Sequence, residues 1–266
     1  MAMRRWLFID AGARTGAFHM AQDEMLARSL ERSGCASGEA DAPPGDEEPL
    51  QALRLYRWQP WAISLGHNQP ADTIDLERCR RDGIDVVRRP TGGRAILHAE
   101  ELTYCVAMYA GRKSVMAVYN DISRALVRGL GLLGVEATLQ RSQPDFGAAY
   151  RDASSIPCFT SSARYEIEHR GRKLVGSAQR RFSGGSQDVV LQHGSILCGG
   201  AHRRLADYLR VPEAQTLGRI RTELSEKTAD LGEILGRPVA ADEVLACVRR
   251  GFELEWNIEF VEGSDL

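Results

Sequence analysis

Arg88-Arg-Pro-Thr-Gly-Gly-Arg-Ala-Ile-Leu-His98 is the densest unusual segment of the chain: a strand end runs into paired glycines and then back into a strand. Gly92 and Gly93 let a backbone approach a ligand closely, while Arg89, Arg94 and His98 supply hydrogen-bond donors around that approach. The spacing is neither a GxGxxG fingerprint nor a Walker loop. On spacing alone, a tight turn beside a solvated basic edge describes these residues as well as a ligand cradle does.

Outward from this turn the pattern alternates between strands and helices. Leu53 to Trp58 has period two, Ala62 to Leu65 follows the Pro60 turn, and Asp85 to Arg88 returns as a strand after a helix from about Ile74 to Arg81. Leu102 to Tyr109 is a further strand, and Val115 to Leu133 is the longest helical stretch. Tyr165 to Glu168 and Lys173 to Gln179 form a hairpin around Gly171, and a glycine-rich loop at Ser183 to Ser186 leads into a strand from Val189 to Leu197. Near the start, Trp6 to Ile9 reads as a short strand and Ala17 to Leu30 as a helix; the last 65 residues are mainly helical, Asp242 to Glu255 among them. The order implies a mixed α/β fold with a strand-rich centre.

One domain spanning residues 1–266 is expected, interrupted by an acidic, proline-containing insertion at about 34–50 whose composition cannot bury enough surface to order itself. Of the 266 residues, 43% are hydrophobic and 26% charged, with a formal net charge of −2, so fibrous readings and a global basic field for nucleic acid are both excluded. The apolar run Trp6 to Ile9 is too short for a secretory signal, and no run approaches a membrane span. A cytoplasmic protein with reduced thiols is the expectation. The six cysteines lie at least 26 residues apart, which offers no zinc knuckle, and neither metal nor cofactor is expected.

A second cluster joins Pro157-Cys158-Phe159 to Gly171-Arg-Lys-Leu-Val-Gly-Ser-Ala-Gln179 and Gln192-His-Gly-Ser195. A free thiol is only about 3% thiolate at neutral pH, so a nucleophilic Cys158 needs a positive charge or a base nearby. Lys173 is a candidate for that charge, which within a few ångströms lowers a thiol pKa by about one to three units. On spacing alone, a buried cysteine and a lysine on an exposed hairpin are the commoner arrangement, and His193 is more often a satisfied strand histidine than a base.

Taken in order, Met20-Ala-x-Asp23-Glu24, Ser64-Leu-Gly66 with Gln69, RRPTGGRAILH at 88–98 with Glu101-Leu-Thr-Tyr104, GRKLVGSAQRR at 171–181 and QHGSIL at 192–197 resemble the lipoate–protein ligase and octanoyltransferase family over residues 17–200. The PCF at 157–159 is similar to the cysteine-dependent octanoyltransferases of that family. The resemblance implies the biotin/lipoate ligase catalytic-domain fold, a mixed sheet flanked by helices. It implies catalytic roles for Cys158 and Lys173: Cys158 takes octanoyl from octanoyl-acyl carrier protein as a thioester and passes it to a lipoyl-domain lysine, as on the glycine cleavage H protein or a 2-oxoacid dehydrogenase subunit.

It also places Thr91, Gly92, Gly93, His98 and Gly176-Ser177-Ala178-Gln179 around the acyl group; Arg89 and Arg94 of the glycine turn, with His193 and Gly194, complete the expected substrate-binding set. Arg94 stands where many ligases carry a third glycine, and the C-terminal accessory domain of full-length ligases is not expected here; both weigh against ATP-dependent activation. An ATP-dependent lipoate ligase, octanoyl transfer between lipoyl-domain proteins, and a non-catalytic binder of acylated carriers are the alternatives. No nucleic acid or membrane partner is expected.

Overall fold

A computed structural model describes residues 3–33, 50–139, 166–183, 187–211 and 213–265. The expected insertion at 34–50 therefore falls, but for residue 50, outside the described residues, as do Cys158 and its neighbours and most of the loop at 183–186. In chain order the elements are β1 (Arg4–Arg14), α1 (Gly16–Ser33), β2 (Ala52–Trp58), β3 (Ala62–Leu65), α2 (Leu76–Arg81), β4 (Asp85–Arg88), β5 (Ile96–His98) and β6 (Glu101–Tyr109). There follow α3 (Val115–Leu132), β7 (Thr138–Leu139), β8 (Ile167–His169), β9 (Arg172–Phe182), β10 (Val189–Leu197), α4 (Ala214–Lys227), α5 (Leu231–Leu235), α6 (Ala241–Trp256) and β11 (Ile258–Glu262). A 3-10 helix spans Gly200–Tyr208.

The strands form two sheets. The larger has the order β11-β1-β2-β6-β10-β9-β8-β7, and the smaller β4-β3-β5. In the larger sheet β1 runs parallel to both β2 and β11, and the other pairings are antiparallel. The mixed α/β architecture expected from the sequence is thus the one observed. β10 sits between β6 and β9 with every residue buried, including the polar Gln192, His193 and Ser195 at its centre.

Period-two alternation divides the two faces of the larger sheet. Leu53, Leu55, Tyr104 and Val106 point to one face, where Val118, Ile122 and Leu126 of α3 and Val244, Val248 and Phe252 of α6 close the main core. Tyr56, Trp58, Cys105 and Leu191 point to the other face, against Met20, Leu26, Ala27 and Leu30 of α1. A separate cluster ties the small sheet, through Ile63, Leu65 and Leu97, to Leu205 and Tyr208 of the 3-10 helix and to Ile220 and Leu224 of α4.

Helix ends follow local chemistry. Asp75 accepts from the Arg78 backbone N–H at 3.0 Å and starts α2 two residues after the position expected from periodicity, because Ile74 is taken into a bridge with Leu209. Ser114 caps α3 and Asp230 caps α5 in the same way. β11, which joins the sheet edge after the helical segment, was not expected from the sequence.

Candidate active site

Between the α1 face of the large sheet and the small sheet lies a narrow cavity, about 20 Å³ in volume and partly open to solvent. Met20 of α1, Tyr56 and Trp58 of β2 and Ile96 of β5 give it apolar walls, and Ser64, His98, Thr103 and Ser195 give it polar ones. Of the residues expected to bind substrate, Arg89, His98, Gly176, Ser177, Ala178, His193 and Gly194 line it. Gly194 is where β9 and β6 crowd together: a Cβ there would stand 2.4 Å from the Gly176 carbonyl oxygen and 2.7 Å from the Tyr104 ring.

The glycine turn closes one side. Gly93 has φ +93°, a conformation that favours glycine, and its carbonyl oxygen would meet a Cβ on Gly66 at 1.9 Å, so the two backbones touch. Arg89 is buried and its guanidinium clamps the turn from inside. Nε and Nη2 donate to the Gly92 carbonyl at 3.1 and 2.9 Å, Nη2 to the Arg94 carbonyl at 2.7 Å, and Nη1 to the Ser64 carbonyl and hydroxyl at 3.0 Å each. Gly92 and Gly93 are exposed and Arg94 half-buried, so the turn presents backbone rather than side chains to the outside.

Two carboxylate–histidine–hydroxyl lines run beneath this turn. In the first, His193 Nδ1–H donates to Asp23 Oδ2 at 3.1 Å and Nε2 accepts from the Thr91 hydroxyl at 2.6 Å, a tautomer assigned from the network. Asp23 also accepts from the Tyr56 hydroxyl at 2.7 Å and from Arg54 Nη1 at 3.1 Å. Burial works to raise the Asp23 carboxyl, but the His193 hydrogen bond and the Arg54 charge outweigh it and hold the group below the usual carboxylate range. Burial likewise keeps His193 below the ordinary imidazole value, against the pull of Asp23.

Arg54 is fully buried and draws in a further histidine: its Nη2 donates to His19 Nδ1 at 2.9 Å, while His19 Nε2–H donates to the Arg57 carbonyl at 2.7 Å. Burial, reinforced by the Arg54 charge, lowers His19 to about 4.

In the second line His98 Nδ1–H donates to Glu101 Oε1 at 2.7 Å and Nε2 accepts from the Ser64 hydroxyl at 2.7 Å. The imidazole is stacked on Trp58, with ring centroids 4.0 Å apart. Thr103 and Ser195 hydroxyls also donate to Glu101 Oε1, at 2.6 and 2.8 Å, and Trp58 Nε1–H donates to Thr103 at 2.7 Å. Burial pushes the Glu101 carboxyl up, yet His98 and the hydroxyl bonds hold it below its ordinary value.

Lys173 does not line the cavity. It is buried on β9 and forms an ion pair with the buried Glu166. Gln179 donates to Gln192 Oε1 at 3.0 Å, within a polar group that includes Tyr104 and Ser177. Asp23, Arg54, Glu101, Thr103 and Ser195 received no site role from the sequence. Asp23, Glu101, Thr103 and Ser195 lie within the quoted motifs, and the signal for Arg54 was its alternation in phase with Tyr56 and Trp58 on a strand, which marks a charged side chain on an otherwise aromatic, inward face.

Of the described cysteines, burial raises Cys79 to about 11 and Cys198 to about 12, and lifts Cys105 well above the thiol range. Among the described residues no group of three or more His, Cys, Asp or Glu side chains is placed to hold a metal ion, and no helix is long and apolar enough to cross a membrane.

The model of the family described as lipoyl protein ligase A/B catalytic domain matches residues 16–253. An octanoyltransferase LipM of Kyrpidia tusciae is 38% identical over 94% of this chain and 86% of its own, and one of Symbiobacterium thermophilum is 38% identical over 97% and 89%. Among solved structures, the bi-partite lipoate protein ligase of Thermoplasma acidophilum superposes with a TM-score of 0.72 at 21% identity, covering 99% of this chain and 88% of that one.

Proposed function

We propose, from the premise that this chain belongs to the lipoyl protein ligase A/B catalytic-domain family and is an octanoyltransferase acting in protein lipoylation, a specific route for the acyl group. The donor is octanoyl-acyl carrier protein and the carrier is Cys158. Its thiolate attacks the donor thioester carbonyl, and the phosphopantetheine thiolate leaves and takes up the proton that Cys158 gave up. A lipoyl-domain lysine, as free amine, then attacks the Cys158 thioester, forming the amide; the Cys158 sulfur leaves and takes up the proton that the amine nitrogen gives up, which restores the thiol. Exchange between thioesters is nearly balanced and amide formation is downhill, so neither half needs an external energy source.

The observation that carries this reading is the character of the cavity. Its polar side chains are turned into hydrogen bonds with one another, so the surface they leave to an occupant is almost wholly apolar. Burying about seven methylene and methyl groups against such a surface contributes on the order of 5 kcal/mol to the binding of an octyl chain. Lys173, on the same strand as Gly176 to Ala178 and paired with the buried Glu166, is the positive charge assigned to the Cys158 thiolate, a role that requires it to exchange Glu166 for the sulfur. The raised thiols of Cys79, Cys105 and Cys198 are protonated at neutral pH and do not compete for the role.

The test is transfer to an apo lipoyl domain with ATP omitted. Octanoyl-acyl carrier protein supports modification by the native chain and not by Cys158→Ala; a requirement for ATP with free octanoate would establish a ligase instead.

A further inference from the structure

Arg54 is shared between two carboxylates from opposite ends of the sequence. After β11 the backbone continues beside β1, with Gly263 N–H donating to the Phe8 carbonyl at 2.8 Å, and this brings Asp265 over the end of β1 to β2. Asp265 takes one edge of the guanidinium, accepting from Nε at 2.5 Å and from Nη2 at 3.2 Å. Asp23 is left with the opposite corner, a single bond from Nη1 at 3.1 Å to its Oδ1. Its other oxygen, Oδ2, is thereby free for Tyr56 and for His193.

A guanidinium with an open edge closes on a carboxylate through two parallel bonds, the strongest arrangement available to it. Without Asp265 the Nε–Nη2 edge is vacated while Nη2 keeps its bond to His19 at 2.9 Å; the nearest carboxylate is Asp23, and a guanidinium turned to grip it through two bonds would draw Oδ2 away from His193 Nδ1. His193 would lose the acceptor that fixes its tautomer, and Thr91 would lose the ring nitrogen that fixes the glycine turn. We propose that Asp265 is a positioning residue of the acyl cavity, holding Arg54 off Asp23 Oδ2 so that the Asp23–His193–Thr91 line and the turn above it keep their geometry. The functional consequence rests on the octanoyl-transfer reading; the effect on His193 does not.

Two readouts on Asp265→Ala separate these levels. Imidazole ¹⁵N spectra report the His193 tautomer without any turnover: a defined Nδ1–H form in the native chain and a mixed or exchanging signal in the variant are expected. In steady-state transfer the variant shows a KM for octanoyl-acyl carrier protein raised about 10- to 100-fold, the loss of a charged hydrogen bond, with kcat within about twofold. The Asp265 side chain is 17% exposed, so added formate can reach the Nε edge and is expected to restore KM, as is Asp265→Glu. An unchanged His193 signal overturns the proposal. So does activity lost only in proportion to unfolded protein, with native KM. If the native chain transfers nothing, the functional reading fails while the spectra still decide the role of Asp265.

Discussion

The two carboxylate–histidine–hydroxyl lines look alike in outline and differ in how their charge is matched. Asp23 faces a buried cation, Arg54, and spreads its hydrogen bonds over both oxygens. Glu101 makes its described bonds through Oε1 alone, with no Lys or Arg paired to it among the described residues, and its Oε2 is buried without a hydrogen-bond partner there. The first line is a neutralised scaffold, anchoring α1, β2 and β10 to the glycine turn. The second holds a carboxylate by hydroxyl and imidazole donors only, against the cavity wall. An ion matched by an ion is costly to break on one side, whereas a carboxylate held by neutral donors tolerates an uncharged replacement.

That contrast is open to measurement. Asp23→Ala strips the buried Arg54 of one of its two carboxylates and should cost about 3–5 kcal/mol of unfolding free energy in denaturant titrations, whereas Glu101→Gln should cost about 1–3 kcal/mol. Equal losses would break the distinction.

Acid should act on both neighbourhoods through their histidines. His19, beside Arg54, and His202, bonded to Thr228, are each lowered to about 4, chiefly by burial and then by an adjacent arginine. Their folded values lie below the unfolded value of about 6.5, so the unfolded chain binds protons first as pH falls. Stability is therefore full above about 6.5 and declines toward 4, by about 3 kcal/mol per histidine. His19→Asn should flatten that decline by the same amount in unfolding curves taken between pH 7 and 4.5; an unaltered slope would contradict it. Asp23 and Glu101, whose folded values are depressed, add a further loss only below the ordinary carboxylate range.

The smallest effect is at the hydroxyl ends. Thr91→Val removes the donor to His193 and Ser64→Ala the donor to His98, each costing about 1 kcal/mol. Thr91→Val should in addition raise KM for the octanoyl donor, because only that hydroxyl sits in the turn itself; a larger KM effect at Ser64 would reverse the ranking.

Much of this arrangement was legible in the sequence where local chemistry decides. Period two on 53–58, the strand at 189–197 after its glycine-rich loop, the helical stretch at 115–133 and the glycine turn at 88–98 all lie in the structure where the sequence puts them, because each is set by neighbours within a few residues. β1 extends beyond its apolar core, Arg4–Arg14 against Trp6 to Ile9, since sheet pairing with β2 and β11 carries residues that lack a pattern of their own, and α1 runs Gly16–Ser33 against Ala17 to Leu30. β11 and the Arg54 to Asp265 contact were invisible for the complementary reason: their partners lie hundreds of positions away, and no periodicity reports a pairing of that range. The site residues were readable as motif members, but their division into two lines, and the matching of only one by a cation, depends on which strand face each occupies.

The central claim is an acyl-enzyme on Cys158, and intact-mass measurement after incubation with octanoyl-acyl carrier protein in the absence of ATP tests it directly. The native chain is expected to gain one octanoyl group that hydroxylamine removes and an apo lipoyl domain takes up, while Cys158→Ser gains no thioester of this kind. Full transfer by Cys158→Ala, or acylation of the native chain that survives hydroxylamine, would contradict it.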